Sequence, residues 1–342
     1  MTVAPVHEAV TTLRKLALAA GQAAALRAAA QLGVADALGD EPATAAQLAT
    51  AVNAEPGTLD RLLRALTTHG VFAAQGERYV HTATSRLLRT DTPRSLRDMV
   101  LWATEPWTWS VWPQLADAVR TGKGVFAEVH GKDFFTYLYE DAPDSAEVFN
   151  RAMTQASRLS SQSIAEALDI RGPVTVVDVA GGHGDLLTTI LGEDSEVRGV
   201  LFDLPGALDD VDPRLREGGL FGDRASLVTG DCREAVPVAA DVFILKNVLE
   251  WDDESTVATL RNVAGAAGPG GRVVVIENLV DGSPETGFTT TMDLLLLLNV
   301  NGRKHLRQSL LRLVAEAGLV VTDVHPVGPY LHMIDCAVPE RP

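Results

Sequence analysis

The sequence predicts an α/β protein: a doubly wound, Rossmann-like parallel sheet in the carboxyl-terminal half, preceded by a mostly helical winged-helix domain. Three observations carry this. From residue 171 onward, apolar β-branched runs alternate with helical patterns, as a parallel sheet with crossover helices requires. The first run passes straight into a glycine-rich turn, VTVVDVAGGHGD at 174–185. Residues 1–90 read as short helices closed by one hairpin, the make-up of a winged helix-turn-helix.

In the amino-terminal part, Ala and Leu recur at helical spacing from 10 to 29. VADALG, TAAQLATAV and PGTLDRLLRALTTHG follow as short helices punctuated by Gly and Pro, then VFAAQGERYVHT as a hairpin turning near Gln75 and Gly76. Such a unit suits either DNA or a protein partner. Arg61 and Arg64 lie on the helix that would enter a groove. Asp60 and a net charge of −16 oppose nucleic acid, and the charge also opposes an anionic membrane surface. Nearly uncharged first helices need a partner to cover them, so an intertwined homodimer is expected.

Residues 91–170 form a helical section rich in aromatics, including Trp102, Trp107, Trp109, Trp112, Phe126, Phe134 and Phe149. Most of these suit a core. Some could sandwich a flat apolar substrate. The expected division is thus 1–92 winged helix, 93–170 linker and pocket helices, and 171–342 cofactor domain.

In the last part, VTVVDVA, VRGVLFDL, ASLVTGD, ADVFILKNVL, GRVVVIENLV and HMIDCAV read as strands. Ligands of such sheets bind outside the carboxyl ends of the strands. Glycines at the first turn let a ligand approach the backbone, and the next helix turns its N-terminal N–H groups toward it. Leu187 stands where a dinucleotide fingerprint wants a third small residue, which counts against NAD or FAD. Asp203 ends the second strand in the window where an acid accepts ribose hydroxyls. Taken alone, residues 181–184 also fit a plain strand–helix turn.

Two cysteines, Cys232 and Cys336, give no disulfide framework, so a reducing, cytoplasmic location is expected. MTVAPVHEAV lacks the basic start and apolar core of a signal peptide. The Ala-rich run at 16–38 is interrupted by Gln22, Arg27, Gln31 and Asp36, and 294–298 is far too short to span a membrane.

Taken in order, VVDVAGGHGD, DLPG, TGD, FILKNVLEWDDE and GPGGRVVVIEN resemble the class I S-adenosylmethionine-dependent methyltransferases. More narrowly they are similar to the small-molecule O-methyltransferases of plant phenolics and bacterial antibiotics. The winged-helix dimerisation domain fits too, so the resemblance covers nearly the whole chain. It implies S-adenosylmethionine as cofactor, with Gly181 and Gly184 cradling the methionine moiety and Asp203 on the ribose. It puts Asp231 near the adenine amine, Lys246 on the far side of the base and Trp251 stacked on it. Met153 and Ser157 would reach over the sulfonium and carboxylate. Asp178, Gly182, Leu204, Cys232 and Asn247 complete the expected cofactor set; no metal is expected. Read singly, Asp231 is also a turn residue and Trp251 a core aromatic.

The resemblance breaks at one place. The family segment reads like L-K-H-x-L-H-D-W, its second His being the general base. Here Lys246-Asn247-Val248-Leu249-Glu250-Trp251 is one residue shorter and has no His. Counted from Lys246, Glu250 takes the base position; counted back from Trp251, Leu249 does. Glu277 is retained as supporting acid, and Lys304 stands where a second is expected. A phenol titrates near about 10 and an unperturbed Glu near about 4.3, a poor match. Three outcomes follow: methyl transfer with Glu250, His305 or His130 handling the proton; methylation of a ring carbon ortho to a phenol, as in phenolic amino acids of the tyrosine or 3-hydroxykynurenine type; or a bound cofactor that is not consumed, as in hydroxylases and cyclisation catalysts. The missing His tilts the expectation toward carbon. Trp107, Phe134, Phe149, Met292 and Asn299 suggest a planar ring with polar substituents, and Arg158 a substrate carboxylate, or else a solvated helix residue.

Overall fold

The computed structural model describes residues 6–328 and 330–340; the first five residues of the amino-terminal stretch read above lie outside them. The chain divides into two compact units, one ending at Thr108 and one beginning at Trp109.

In the first unit, helices Val6–Ala17 and Ala19–Gln31 precede Val34–Leu38, Ala45–Ala51 and Pro56–Thr68. Thr44 caps Ala45–Ala51 through a reciprocal capping box with Gln47, and Pro56 opens the next helix. The strands β1 (Ala43–Thr44), β2 (Phe72–Gln75) and β3 (Arg78–His81) form a small antiparallel sheet in the order β1-β3-β2, the wing. Its hairpin turns at Gly76, as the sequence indicates. Leu48, Leu59, Leu63, Leu66, Phe72 and Tyr79 share one core. On the would-be recognition helix, Arg64 is paired with Asp60, which also accepts a hydrogen bond from Tyr79. Helix Val6–Ala17 buries none of its residues, and Leu13 and Leu16 are each 69% exposed.

The second unit holds a seven-stranded sheet: β4 (Thr175–Val179), β5 (Arg198–Asp203), β6 (Ala225–Thr229), β7 (Val242–Lys246), β8 (Arg272–Glu277), β9 (Val320–Val327) and β10 (Leu331–Ala337). The order is β6-β5-β4-β7-β8-β10-β9, parallel up to β8, with β10 antiparallel to both β8 and β9. The sequence patterns point to only six of these strands. The seventh, β9, is an edge strand with mixed exposure, so it carries no continuous apolar run. Val176 and Ile244 pack into a core on one face of the sheet, and Val177, Val179, Phe243 and Leu245 into a core on the other. That two-sided burial is why these strands read as unbroken apolar runs. No helix among the described residues is long and apolar enough to cross a membrane.

Candidate active site

Strand order reverses between β4 and β7, and that switch point is where such sheets open a ligand crevice. Asp178 and Lys246 lie on either side of it, on adjacent paired strands. The turn after β4 is built for close approach. A Cβ on Gly181 would stand 2.6 Å from both the Asp178 carboxylate and Leu201. Gly184 has φ +82°, and a Cβ there would run into Leu215. Leu187, the residue that spoils a dinucleotide fingerprint, is accommodated from the opposite side: Gly199 leaves the room, since a Cβ there would stand 2.8 Å from the leucine.

The Asp203 carboxylate is fixed by two backbone donors, Gly182 N–H onto Oδ2 and Leu204 N–H onto Oδ1, each at 2.7 Å. Burial raises its pKa despite those bonds, with Asp231 adding repulsion. A carboxylate so oriented keeps its remaining lone pairs for further donors such as ribose hydroxyls. Tyr139, which sequence reasoning missed, stands beside it: its ring packs over Gly206 and its hydroxyl donates to Asn150. Burial and then the charge of Asp203 push its phenol pKa up. The glycine of DLPG was the available signal, because a side chain at 206 would strike that ring.

Asp178 is 2% exposed, and its Oδ2 has no hydrogen-bond partner. Burial pushes its carboxyl up to about 7, against the pull of Lys246. Lys246 Nζ donates to Ser157 Oγ at 2.8 Å, with Asp178 as the strongest charge acting on it. This sets Lys246 with the residues expected at the sulfonium and carboxylate and not on the far side of the base, where the resemblance put it. Ser157 and Met153 are four residues apart on helix Pro143–Arg158, hence on one face. The adjacent Arg158 corrects an expectation: its Nε sits 3.3 Å from Asp185 Oδ1, and Ser161 holds the other oxygen of that carboxylate. Arg158 is thereby turned onto the helix that follows the glycine turn, which does not support a substrate-carboxylate role.

Asp231 is gripped by Arg233 through Nε and Nη2, the latter at 2.6 Å. Burial works against its ionisation, but the Arg233 hydrogen bonds prevail and lower its pKa. The same guanidinium lies 5.4 Å over the Trp251 ring. Arg233 thus joins two residues expected at the base, and no motif flagged it. The Cys232 side chain belongs to the core, its thiol pushed by burial up to about 12, which leaves only its backbone for a ligand. Asn247 is exposed with φ +51°, its N–H bonded to Ile276.

At the expected base position, Glu250 forms an ion pair with Lys304, both side chains largely buried. Glu277 lies beside them, with Oε1 accepting from Val248 and Leu249 N–H, each at 3.0 Å. Burial and then the charge of Glu250 raise the Glu277 pKa, against Lys304. Lys304 is kept charged: burial opposes this, but Glu250 and Glu277 raise its pKa. The segment carrying it is fastened at every step. Asn301 Oδ1 accepts from Gly124 N–H, Arg303 N–H donates to Glu250 O, and Lys304 N–H donates to Asp293.

His305 is corrected by the same fastening. Its Nε2 is 2.7 Å from Leu249 O, which makes that nitrogen the N–H donor, and Nδ1 faces Ser309. Burial lowers its pKa. The ring holds the loop and is not placed as a free base. His130 Nε2 is bonded to Ser110 Oγ, and the ring packs on Phe126 and Tyr137.

Phe134 and Phe149 stack edge to face within a cluster that includes Phe126 and Phe135. Helix Phe126–His130 is tied to helix Thr286–Val300 through Val125 N–H to Leu298 O. On that longer helix, Met292 and Asn299 share a face. The Asn299 Oδ1 is buried without a hydrogen-bond partner. Trp107 is buried and belongs to the first unit.

A doubly wound sheet with acids at the ends of β4 and β5, another just past β6, and a glycine turn at the switch point defines an enzyme that handles a nucleoside-bearing cofactor. The family models sharpen this. The O-methyltransferase domain matches residues 112–320 and the O-methyltransferase dimerisation domain residues 15–91. The mitomycin biosynthesis 6-O-methyltransferase of Streptomyces lavendulae is 36% identical over 320 residues, covering 93% of this chain and 91% of that protein. The phenazine-1-carboxylate N-methyltransferase of Pseudomonas aeruginosa is 33% identical over 313 residues, covering 90% and 91%. The O-methyltransferase NcsB1 from neocarzinostatin biosynthesis, solved with S-adenosyl-L-homocysteine and 1,4-dihydroxy-2-naphthoic acid, superposes with a TM-score of 0.80 at 34% identity, covering 95% of this chain and 98% of that one.

The chain belongs to this O-methyltransferase family and is an S-adenosylmethionine-dependent methyltransferase with a dimerisation domain. The residues present fit the cofactor: Gly181 leaves a cradle that a Cβ would fill, and the orphaned Asp178 Oδ2 awaits a donor. The tilt toward carbon methylation is corrected here, because the relatives are O- and N-methyltransferases.

Proposed function

We propose that this enzyme methylates a hydroxyl oxygen of a small, planar aromatic natural product. The observation that supports the reading is the buried Glu250–Lys304–Glu277 cluster, whose Glu250 stands, counted from Lys246, at the position of the family's base. The named relatives support the acceptor class: one is a 6-O-methyltransferase of mitomycin biosynthesis, and the other was solved with a dihydroxynaphthoic acid, a hydroxylated planar ring.

When bound, S-adenosylmethionine supplies an electrophilic methyl group on a sulfonium. The chain's own residues do the rest. The turn at Gly181, Gly182 and Gly184 admits the methionine moiety, with Asp178 taking a donor and Ser157, Lys246 and Met153 closing over it. Asp203 accepts from the ribose hydroxyls, and Leu204 and Tyr139 wall that side. Asp231, Trp251 and Arg233 hold the base, with the backbone of Cys232 and Asn247 nearby. Phe134, Phe149, Met292 and Asn299 orient the ring, which excludes water and limits the approach of the acceptor oxygen. Glu250 takes the hydroxyl proton. Of the expected section 93–170, the part within the second unit, from Trp109 onward, supplies pocket helices, and 171–342 the cofactor site. Residues 1–92 form a homodimer through the exposed apolar side of helix Val6–Ala17.

The test uses methyl-labelled cofactor and a panel of hydroxynaphthoates and hydroxyquinones. Carbon NMR of the product should show the label as an aryl methyl ether; label on a ring carbon refutes the reading. S-adenosylhomocysteine should raise the melting temperature of the protein.

A further inference from the structure

The position where the family keeps its base holds two carboxylates and an ammonium, and the two histidines weighed for the proton are both engaged. His305 is committed to Leu249 O, and His130 to Ser110 and its aromatic neighbours. Glu250 is ion-paired with Lys304. Glu277 spends one oxygen on two backbone donors. The other charged or titratable groups around the cluster are Lys246 at the end of β7, Asp293 on helix Thr286–Val300, Tyr330 before β10, the Arg303–Asp253 pair, and His332, which pairs with Glu277 in the sheet and whose pKa burial lowers. A carboxylate takes protons efficiently only from acids of comparable strength, whereas an ordinary phenol titrates near about 10. Once Glu250 takes a proton, the Lys304 ammonium loses its counter-ion in a water-poor site and favours an oxyanion beside it. Both features select the same kind of acceptor.

Resting on the oxygen-transfer reading above, we propose that the Glu250–Lys304–Glu277 cluster restricts the acceptor to acidified hydroxyls. These are hydroxyls conjugated to a ring carbonyl, as in a hydroxyquinone or a hydroxyl vinylogous to a carboxyl group, bound as the oxyanion beside Lys304. The proton passes onto Glu250 as the acceptor enters, which frees Lys304 for the oxyanion. The acceptor oxygen then forms its bond to the methyl carbon, and the carbon–sulfur bond breaks with its electron pair going to sulfur. The sulfonium charge and the oxyanion charge vanish together, so no further base is required. A proton taken up by Glu250 returns to water when the ether departs.

The wild-type enzyme decides this without any variant. A series of ring-matched hydroxynaphthalenes and hydroxyquinones, differing in hydroxyl acidity, is assayed for kcat/KM against pH. At neutral pH, kcat/KM should fall by up to about tenfold for each unit by which the hydroxyl pKa exceeds the assay pH. Its inflection should follow the acceptor and not the protein. In the ternary complex with S-adenosylhomocysteine, the absorbance spectrum of a bound acidified acceptor should be that of the oxyanion, titrating lower than in free solution. Glu250→His should raise the ratio of ordinary-phenol to acidified-acceptor kcat/KM by tenfold or more, with a new inflection near about 6.5. Equal turnover of ordinary and acidified hydroxyls with one common inflection overturns this inference alone. So does a bound acceptor that stays neutral. Absence of oxygen methylation on every acceptor, with S-adenosylhomocysteine still bound, overturns the oxygen-transfer reading as well.

Discussion

Asp203→Asn separates cofactor recognition from folding. The carboxylate accepts one backbone N–H on each oxygen, both at 2.7 Å. An amide offers only one acceptor, so either Gly182 or Leu204 N–H must face an NH2 group. Losing one hydrogen bond to a charged group costs about 1.5–3 kcal/mol. A second effect opposes this loss. Burial, then Asp231, raises the Asp203 pKa, so the ionised carboxylate is itself a net burden on the fold above its unfolded pKa. A neutral amide removes that burden. The two effects oppose each other, so the apo protein should lose less than the full cost of that hydrogen bond. Binding has no such compensation. The ribose hydroxyls lose a charged acceptor, worth about 1.5–3 kcal/mol, or about 10- to 150-fold in Kd. Calorimetric titration with S-adenosylhomocysteine and thermal unfolding of the apo protein measure the two effects separately. Binding within about threefold of wild type would refute Asp203 as the ribose ligand.

Three further outcomes are expected. Gly181→Ala puts a methyl group 2.6 Å from Asp178 and Leu201, so the turn must shift; S-adenosylhomocysteine affinity should drop at least about tenfold by the same titration, beyond the roughly 1–3 kcal/mol overpacking cost read from thermal unfolding. His305→Asn should lower the melting temperature by loosening the loop on Leu249, while the shape of the kcat/KM–pH profile stays as in wild type, because this imidazole is not the proton acceptor. For Asp178→Asn the sign is set by a folded pKa raised to about 7: the folded state binds that proton more tightly than the unfolded chain, so wild type loses stability relative to the variant as pH rises from about 4 through about 7. Melting temperatures of both apo proteins across that range test it, and a wild-type advantage that grows with pH would contradict the burial argument.

Much of the cofactor side is legible from residue order because it is written in local chemistry. A strand buried on both faces must be apolar throughout, and a turn that admits a ligand to its backbone must lack Cβ atoms. Hence VTVVDVAGG locates the switch point, and Asp203 and Asp231 fall at the right strand ends. Arg233, Tyr139 and Gly199 escaped because each acts on a residue distant in sequence: Trp251, Gly206 and Leu187. Edge strand β9 escaped because one-sided burial leaves no continuous apolar run.

At the acceptor end the order of residues determined only that the family histidine was missing and that Glu250 and Lys304 stood near the vacated positions. Tertiary structure decided what stands there and what each group is bonded to. The loop 301–305, pinned to Glu250 O, Leu249 O, Asp293 and Gly124, carries Lys304 onto Glu250 across 54 residues of chain and takes His305 out of the chemistry. Ion pairing and imidazole orientation are set by which backbone carbonyl or carboxylate lies within about 3 Å, a distance that only the packed loop specifies.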